Sequence, residues 1–205
     1  MAPLASLPDP RDTAVVYRFD SSPKAQIQSA PLRAVRWTEG YWAERWKQAL
    51  ETTAPRLWNL LADPAEGHVL ENLRIAAGLV QGKYKGTTWQ DEWVYKWIEA
   101  AAALYAVSGE EWLDRRMDEA IAIIAQAQEA DGYIASQIAA TDKQRFSEPR
   151  DHEIYNMGHL ITAGVVHKRV TGKDSLFQVA RRAADFLCET VGVTVEPYFA
   201  HNPSA

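Results

Sequence analysis

The sequence lacks the signals of a disulfide-stabilised or membrane-spanning protein. Its 205 residues include one cysteine, Cys188, which excludes an internal disulfide framework and a cysteine-based zinc site built from this chain alone. No apolar stretch reaches the roughly 18 residues of a membrane span. The first residues, MAPLASLPDPRDT, contain neither the basic nor the apolar region of a signal peptide. We therefore predict no membrane span, and both a cytoplasmic location and export after loss of an upstream signal fit the sequence.

Strong positive charge is also lacking. The chain has 22 Lys and Arg against 27 Asp and Glu, a net charge of −5 and a pI near 5.6, with no basic run. These values argue against nucleic acid or an anionic membrane as a partner and leave small neutral ligands open. What the chain has is 47% hydrophobic residues, including eight Trp and eight Tyr, enough for one sizeable core.

Proline use divides the chain into an arm and a helical region. Residues 1–37 contain five of the ten prolines and the β-prone pieces AVVYRF and LRAVRW, which predicts an extended arm or a couple of strands. Residues 38–205 form the second predicted domain. Its apolar stripes predict helices over about 39–61 with an interruption at Pro55, and over 69–80, 94–105, 113–124, 152–170 and 174–191. A loop is predicted from Asp131 to Arg150.

Two of these helical hairpins repeat each other. Gly172 lies 63 residues after Gly109, and the same offset aligns Leu113 with Leu176, Ala120 with Ala183, and Ile124 with Leu187. The first helix of each hairpin is apolar almost all round, whereas the second carries charges on one face. Buried inner helices and solvated outer helices predict an all-α fold, an α/α toroid. The roughly three hairpins would close half of a six-hairpin ring, a partial barrel.

Polar residues at the starts of the inner helices are the candidate functional residues, because a buried polar group without a partner costs about 1–3 kcal/mol. The two clusters are Gln90, Asp91, Glu92, Tyr95 and Lys96, and His152, Glu153, Tyr155, Asn156 and His159. Structural explanations compete with function at several of these positions. Asp91 or Asp151 would serve as an N-cap, His159 as a core histidine, and Lys96 as a partner of Glu99. His68 and His167 are expected to be surface or structural residues.

The spacing of His152 and His159 excludes a zinc box. The two histidines share one helix face but lie two turns, about 10.5 Å, apart, whereas a His-Glu-x-x-His site needs them four residues apart. Position 156 is asparagine. We therefore predict no metal ligands in this chain. A rim of Trp89, Trp93, Tyr95, Tyr133 and Tyr155 beside carboxylates and an imidazole instead favours a carbohydrate site.

Five ordered blocks resemble a known enzyme family. WAERW, ENLRIAAGL, WQDEWVYKWIEAAAAL, QEADGYI and DHEIYNMGHLITAGVVHKRVTGKDSLFQVARRAADFL, over about residues 40–190, resemble the N-terminal half of the catalytic domain of glycoside hydrolase family 127, the β-L-arabinofuranosidase-type enzymes. The resemblance implies an (α/α)6 toroid followed by β-sandwich domains. It also implies a retaining mechanism whose nucleophile is a zinc-bound cysteine thiolate, with the zinc held by one glutamate and three cysteines.

The resemblance carries over to particular residues. The family's first sugar-contacting histidine matches His152, and its Gln-Asp-Ser-Asp-Val-Tyr-Lys-Trp segment matches residues 90–97, from Gln90 and Asp91 onward. Glu92 and Trp93 depart from that segment, so the sugar pocket and the substrate are expected to differ there. The zinc ligands, nucleophile and acid/base glutamate would lie beyond Ala205. Cys188 is expected in the core.

The sequence therefore predicts the truncated N-terminal part of a glycoside hydrolase. This part would bind the carbohydrate substrate through His152, Glu153, Tyr155, Gln90 and Asp91, and it would be inactive alone. Zinc is implied only for the full-length enzyme. The alternative is a self-contained module of helical hairpins that binds a partner without catalysis.

Overall fold

A computed structural model describes residues 8–19 and 21–190, and within these ranges the chain is all-helical. The helices are α1 (Gly40–Gln48), α2 (Ala54–Ala62), α3 (Val69–Ala76), α4 (Asp91–Ser108), α5 (Glu111–Ala127), α6 (Ser136–Ala139), α7 (Glu153–Thr171) and α8 (Ser175–Thr190). They form a partial α/α toroid, which confirms the predicted fold class. The predicted end of the last helix at residue 191 lies just outside the described residues, as do positions 1–7, 20 and the rest of the C-terminal stretch.

Pro55 explains the break between α1 and α2. Proline has no N–H to donate to the carbonyl of Glu51, and its ring crowds that carbonyl. The chain widens there into a π-helical turn over Ala49–Thr53, in which the N–H of Ala54 donates to the carbonyl of Ala49. The apolar stripe predicted across the break is only partly buried. Leu61 lies in the core, whereas Trp42 is 62% exposed.

The two hairpins α4–α5 and α7–α8 have the predicted repeat. Gly109 and Gly172 end the inner helices with the same left-handed φ of 74°. Their N–H groups donate to the carbonyls of Tyr105 and Lys168, at 2.9 and 2.8 Å. Glycine is favoured at such helix ends because it adopts positive φ without steric cost. The inner helices α4 and α7 pack along each other, with α5 and α8 outside them.

The connection between the hairpins contains more structure than the predicted loop. It holds α6 and a 3-10 turn at Pro149–Asp151. Both elements are too short to produce a periodic apolar pattern in the sequence. Ser136 of α6 donates to the Asp91 side chain of α4. Tyr133 and Phe146 of the same connection donate to the Glu153 side chain of α7. These hydrogen bonds bring the connection against the starts of the inner helices.

The N-terminal arm is extended and lies against the inner helices. Within residues 8–19 and 21–37 it forms two 3-10 turns, Pro10–Asp12 and Leu32–Ala34, and no strand. The strands considered for AVVYRF and LRAVRW are therefore not found in this part of the chain. Ala14 is buried, and Arg169 of α7 donates to the carbonyl of Val16 at 2.6 Å.

Cys188 differs from its predicted surroundings, and His167 takes one of the two places considered for it. Cys188, expected in the core, is exposed on α8 because it lies about 200° around the helix from the buried Phe186. His167, expected to be a surface or structural residue, is fully buried on α7, and burial lowers its pKa to about 4.

The open side of the partial ring exposes apolar side chains. A groove of about 360 Å³ runs between α2 and α4, and Leu57, Leu60 and Trp93, each more than a third exposed, line it. Among the residues that the structure describes, no helix is both long and apolar enough to cross a membrane.

Candidate functional site

The starts of α4 and α7 lie side by side and present a continuous set of exposed or half-exposed side chains. We call Trp89, Lys96, His152, Tyr155 and His159 the rim cluster. Ring contacts connect Trp89 to His152 at 5.4 Å, His152 to Tyr155 at 5.8 Å, and Tyr155 to His159 at 4.7 Å between centroids. Lys96 Nζ donates to the Tyr155 hydroxyl at 2.9 Å. Two chain segments about 60 residues apart therefore build one surface.

His152 reaches this surface through an unusual backbone conformation. It lies between the Pro149–Asp151 turn and the first residue of α7, with φ 56° and ψ 29°. A residue other than glycine held in this left-handed region costs about 1–3 kcal/mol, and such residues concentrate at functional sites. Its carbonyl accepts the first hydrogen bond of α7, from Asn156 N at 2.9 Å. The helix therefore begins directly after a side chain that faces solvent.

Lys96 is held by a carboxylate one turn earlier on α4. It forms an ion pair with the buried Glu92 rather than with Glu99. The hydrogen bond to Glu92, followed by the one to Tyr155, raises the pKa of Lys96, so the ammonium keeps its charge. The ammonium also lies 5.3 Å from the centre of the Tyr155 ring. Glu92, one of the two departures from the family segment, thus fixes the cation that contacts Tyr155.

Three of the predicted site residues, Gln90, Asp91 and Glu153, form a buried layer behind the rim cluster. The Gln90 side chain donates to the Gly67 carbonyl and accepts from Thr87 N, so it fixes the turn that carries Trp89. Direct contact of Gln90, Asp91 and Glu153 with a sugar stays a prediction. Their buried positions make them supports of the rim cluster.

Asp91 and Glu153 anchor the connection between the hairpins. Asp91 accepts from Ser136 N at 2.7 Å and from Ser136 Oγ at 2.5 Å, so its carboxylate binds α6 instead of acting as the N-cap considered from the sequence. Glu153 accepts from the Tyr133 hydroxyl and from Phe146 N, the latter at 2.7 Å. Burial raises the pKa of both carboxyl groups, while these hydrogen bonds oppose the rise.

Asp151, the other residue considered as an N-cap, instead pairs with Lys143 Nζ at 2.6 Å. Next to this ion pair, two hydrogen bonds join the hairpins, and we call these two bonds the latch. Thr88 Oγ1 donates to the Arg150 carbonyl at 2.8 Å, and Asn156 Nδ2 donates to the Thr88 carbonyl at 3.4 Å.

The aromatic rim predicted from the sequence is partly wrong. Trp89, Trp93 and Tyr155 are 40%, 38% and 45% exposed, but Tyr95 and Tyr133 are buried. Tyr133 is buried because it packs against Phe146 and Phe186 and donates to Glu153.

His159, predicted as an enclosed core histidine, is only half-buried. Its ring contacts the exposed Tyr155 ring. One feature of the sequence could have predicted this exposure. His159 follows Tyr155 by four residues, so the two side chains share a helix face.

Comparison with known proteins decides the family. The model of the β-L-arabinofuranosidase, GH127 catalytic domain, matches residues 34–197. This chain belongs to glycoside hydrolase family 127. A curated relative, the non-reducing end β-L-arabinofuranosidase of Bifidobacterium longum subsp. longum, is 34% identical over 177 residues, which is 76% of this chain and 27% of the relative.

Solved structures of the same family share the fold. A GH127 β-L-arabinofuranosidase from Geobacillus stearothermophilus T6 superimposes with a TM-score of 0.73 at 30% identity, covering 77% of this chain and 26% of that one. A second GH127 β-arabinofuranosidase gives a TM-score of 0.67 at 29% identity, with 77% and 26% covered. This family member thus spans about a quarter of the length of the relatives that it matches.

Proposed function

We propose that this protein is a glycoside hydrolase that acts on arabinofuranosyl units at the non-reducing ends of its substrates, and that the rim cluster binds the sugar. Membership of family 127 supports the reaction class. The assignment of the sugar site rests on one observation. The rings of Trp89, His152 and Tyr155 contact one another in a row where the two inner helices meet.

The rim cluster has the chemistry that a furanose requires. An aromatic face packs against the C–H side of a sugar ring, and Trp89 offers such a face. Imidazole both donates to and accepts from hydroxyl groups, which suits His152 to a pair of sugar hydroxyls. Lys96 donates only, so it would bind a hydroxyl lone pair or keep Tyr155 in position. Gln90, Asp91 and Glu153 then act as supports rather than as direct ligands.

The zinc centre implied by the sequence resemblance does not fit the residues of this chain. That centre needs three cysteines, whereas the chain has one, and Cys188 is exposed on α8 rather than in the rim cluster. We therefore assign no catalytic step to residues 1–205. In this proposal they bind and orient the sugar, and the nucleophile and the acid/base group come from other residues of the complete protein.

Hydrolysis of aryl glycosides by the product of the complete reading frame tests this proposal. We expect turnover of p-nitrophenyl β-L-arabinofuranoside and none above background for the isolated 205 residues, because a retaining reaction needs two opposed catalytic groups. Absence of turnover with a panel of aryl furanosides and pyranosides would contradict the proposal. It would favour the alternative of a binding module.

Sugar binding by the isolated chain tests the rim cluster separately. Methyl β-L-arabinofuranoside should change the fluorescence of exposed tryptophan in the wild type and in Trp42→Phe, whose exposed indole lies on α1. The change should be lost in Trp89→Phe. An unaltered response of Trp89→Phe would place the sugar elsewhere.

A further inference from the structure

His167 is a buried side chain whose chemistry the fold does not use. It is 0% exposed, and neither ring nitrogen has a hydrogen-bond partner among the described residues. Each buried polar atom left unpaired costs about 1–3 kcal/mol. The equivalent residue of the first hairpin, 63 positions earlier, is the buried Leu104. The hairpin core therefore accepts an apolar side chain at this place, and the imidazole needs another explanation.

Two carboxylates lie next to this imidazole. Asp114 and Asp118 are one turn apart on α5, and one oxygen of each lies within 4.8 Å of the other and of a ring nitrogen of His167. The repeat does not conserve the pair, since Phe177 and Arg181 are the equivalent residues of α8. The cluster therefore forms at one place in the described fold rather than in every hairpin.

A single ammonium group now lies between the carboxylates. Lys173 Nζ is 2.8 Å from Asp114 Oδ1 and 2.6 Å from Asp118 Oδ2. Its side chain is 36% exposed and belongs to the link between α7 and α8, so it can turn into solvent. It balances one of the two negative charges and donates nothing to His167. A divalent cation would balance both charges and accept the imidazole lone pair.

We propose that Asp114, Asp118 and His167 bind a zinc ion, which displaces the Lys173 ammonium. One imidazole nitrogen and two carboxylate oxygens are a ligand set that zinc accepts at about 2.0–2.2 Å, with water as the fourth ligand. Rotation of the two aspartate side chains would bring the ligand atoms from the observed separations to about 3.4 Å, the spacing around a tetrahedral ion at that bond length. The site contains no cysteine, in contrast to the zinc centre that the sequence resemblance implies.

Titration of the metal-free 205-residue chain with zinc chloride at pH 7.5, followed by calorimetry, tests the site. We expect one equivalent to bind with a dissociation constant of roughly 10 µM, weaker than four-ligand structural sites. Asp118→Asn should weaken binding about tenfold or more. His167→Leu should do the same while keeping the fold, because it copies Leu104. Lys173→Gln should bind several times more tightly, since it removes the competing ammonium.

A matched control and one spectroscopic readout distinguish this site from other weak zinc ligands. Glu119→Gln removes an exposed carboxylate of the same helix, paired with Arg116, and should leave the affinity unchanged. In NMR spectra the ring resonances of His167 should shift with zinc, whereas those of His152 and His159 should not. Unchanged affinity in Asp118→Asn, or no saturable binding by either the wild type or Lys173→Gln, would overturn the proposal.

Discussion

The two repeated hairpins share burial at two positions where their inner helices begin, but the residues there differ in chemistry. At the 63-residue offset, Trp89 corresponds to His152 and Gln90 to Glu153. Trp89 and His152 are exposed, whereas Gln90 and Glu153 are buried and anchor loop backbone. Gln90 does so with neutral amide bonds, whereas Glu153 uses a carboxylate. At these two positions burial is shared, and the residue type decides what each hairpin contributes to the cluster.

The same comparison holds nearly two turns further along the helices. Lys96 corresponds to His159, and both contact Tyr155, one through an ammonium and the other through an imidazole edge. Equivalent positions of the two hairpins therefore bring a cation and an imidazole into contact with the same phenol. Because the equivalent positions differ in chemistry while sharing geometry, exchange of residue types between the hairpins can separate structural from functional roles.

The largest expected effect is on stability, at Glu153, the buried residue at the start of the second hairpin. Glu153→Ala should lower the free energy of unfolding by about 3–4 kcal/mol, because the Tyr133 hydroxyl and Phe146 N–H lose a charged acceptor. Glu153→Gln, which copies Gln90, should lose only about half of this. Urea denaturation of the 205-residue chain measures both variants. Equal losses would show that charge, and not the presence of an acceptor, holds this loop.

The next largest effect is expected on catalytic activity, at His152, the exposed residue at the start of the same hairpin. In the complete protein, His152→Ala should lower kcat/KM by about 100-fold, roughly 3 kcal/mol, through lost sugar hydrogen bonds. The melting temperature should change little, because the side chain is exposed. Glu153→Ala should show the opposite balance. Full activity of His152→Ala combined with a large loss of stability would make the histidine a structural residue and would remove our site assignment.

A smaller effect is expected for the pair that connects the hairpins. Lys96→Met and Tyr155→Phe each remove one end of the 2.9 Å hydrogen bond. A double-mutant cycle should give a coupling energy of about 1 kcal/mol, since both groups are exposed. Glu92→Gln should reduce this coupling, because the carboxylate holds the ammonium in place. Additive single effects would show that the two hairpins present independent side chains.

The smallest effect is expected at His159. Because it is half-buried and makes an edge contact with Tyr155, His159→Ala should change stability by less than about 1 kcal/mol. Thermal unfolding of the 205-residue chain checks this value. A loss near 3 kcal/mol would indicate that the side chain is enclosed, as expected from the sequence alone.

The sequence predicted the helices well because their signals are local. The 3.6-residue apolar pattern and the glycines at 109 and 172 identified α4, α5, α7 and α8 and their repeat. The sequence did not predict α6, because four residues are too few to show a periodic apolar pattern. It also did not predict the exposure of Cys188, which depends on which face of α8 packs.

The candidate site was harder to predict because it depends on side-chain direction. The pattern placed the polar residues at the helix starts, but it could not show that Glu153 points inward while His152 points outward. Pairing within one helix was also open, since Lys96 pairs with Glu92 although Glu99 lies within reach on the same helix. His167 meets Asp114 and Asp118 only after α7 and α5 have packed, and no spacing rule connects residues of separate helices.

The latch between Thr88 and Arg150 has a consequence for synthesis on the ribosome. Its two partners are 62 residues apart, so the first inner helix is finished well before its neighbour exists. At roughly 5–20 residues per second, the apolar surface of α4 that α7 later covers stays open to water for several seconds. Over that interval the face of α4 that packs on α7 has no partner helix. Nascent chains stalled before residue 153 should therefore recruit chaperones that bind apolar segments, and chains released after α8 should recruit fewer of them.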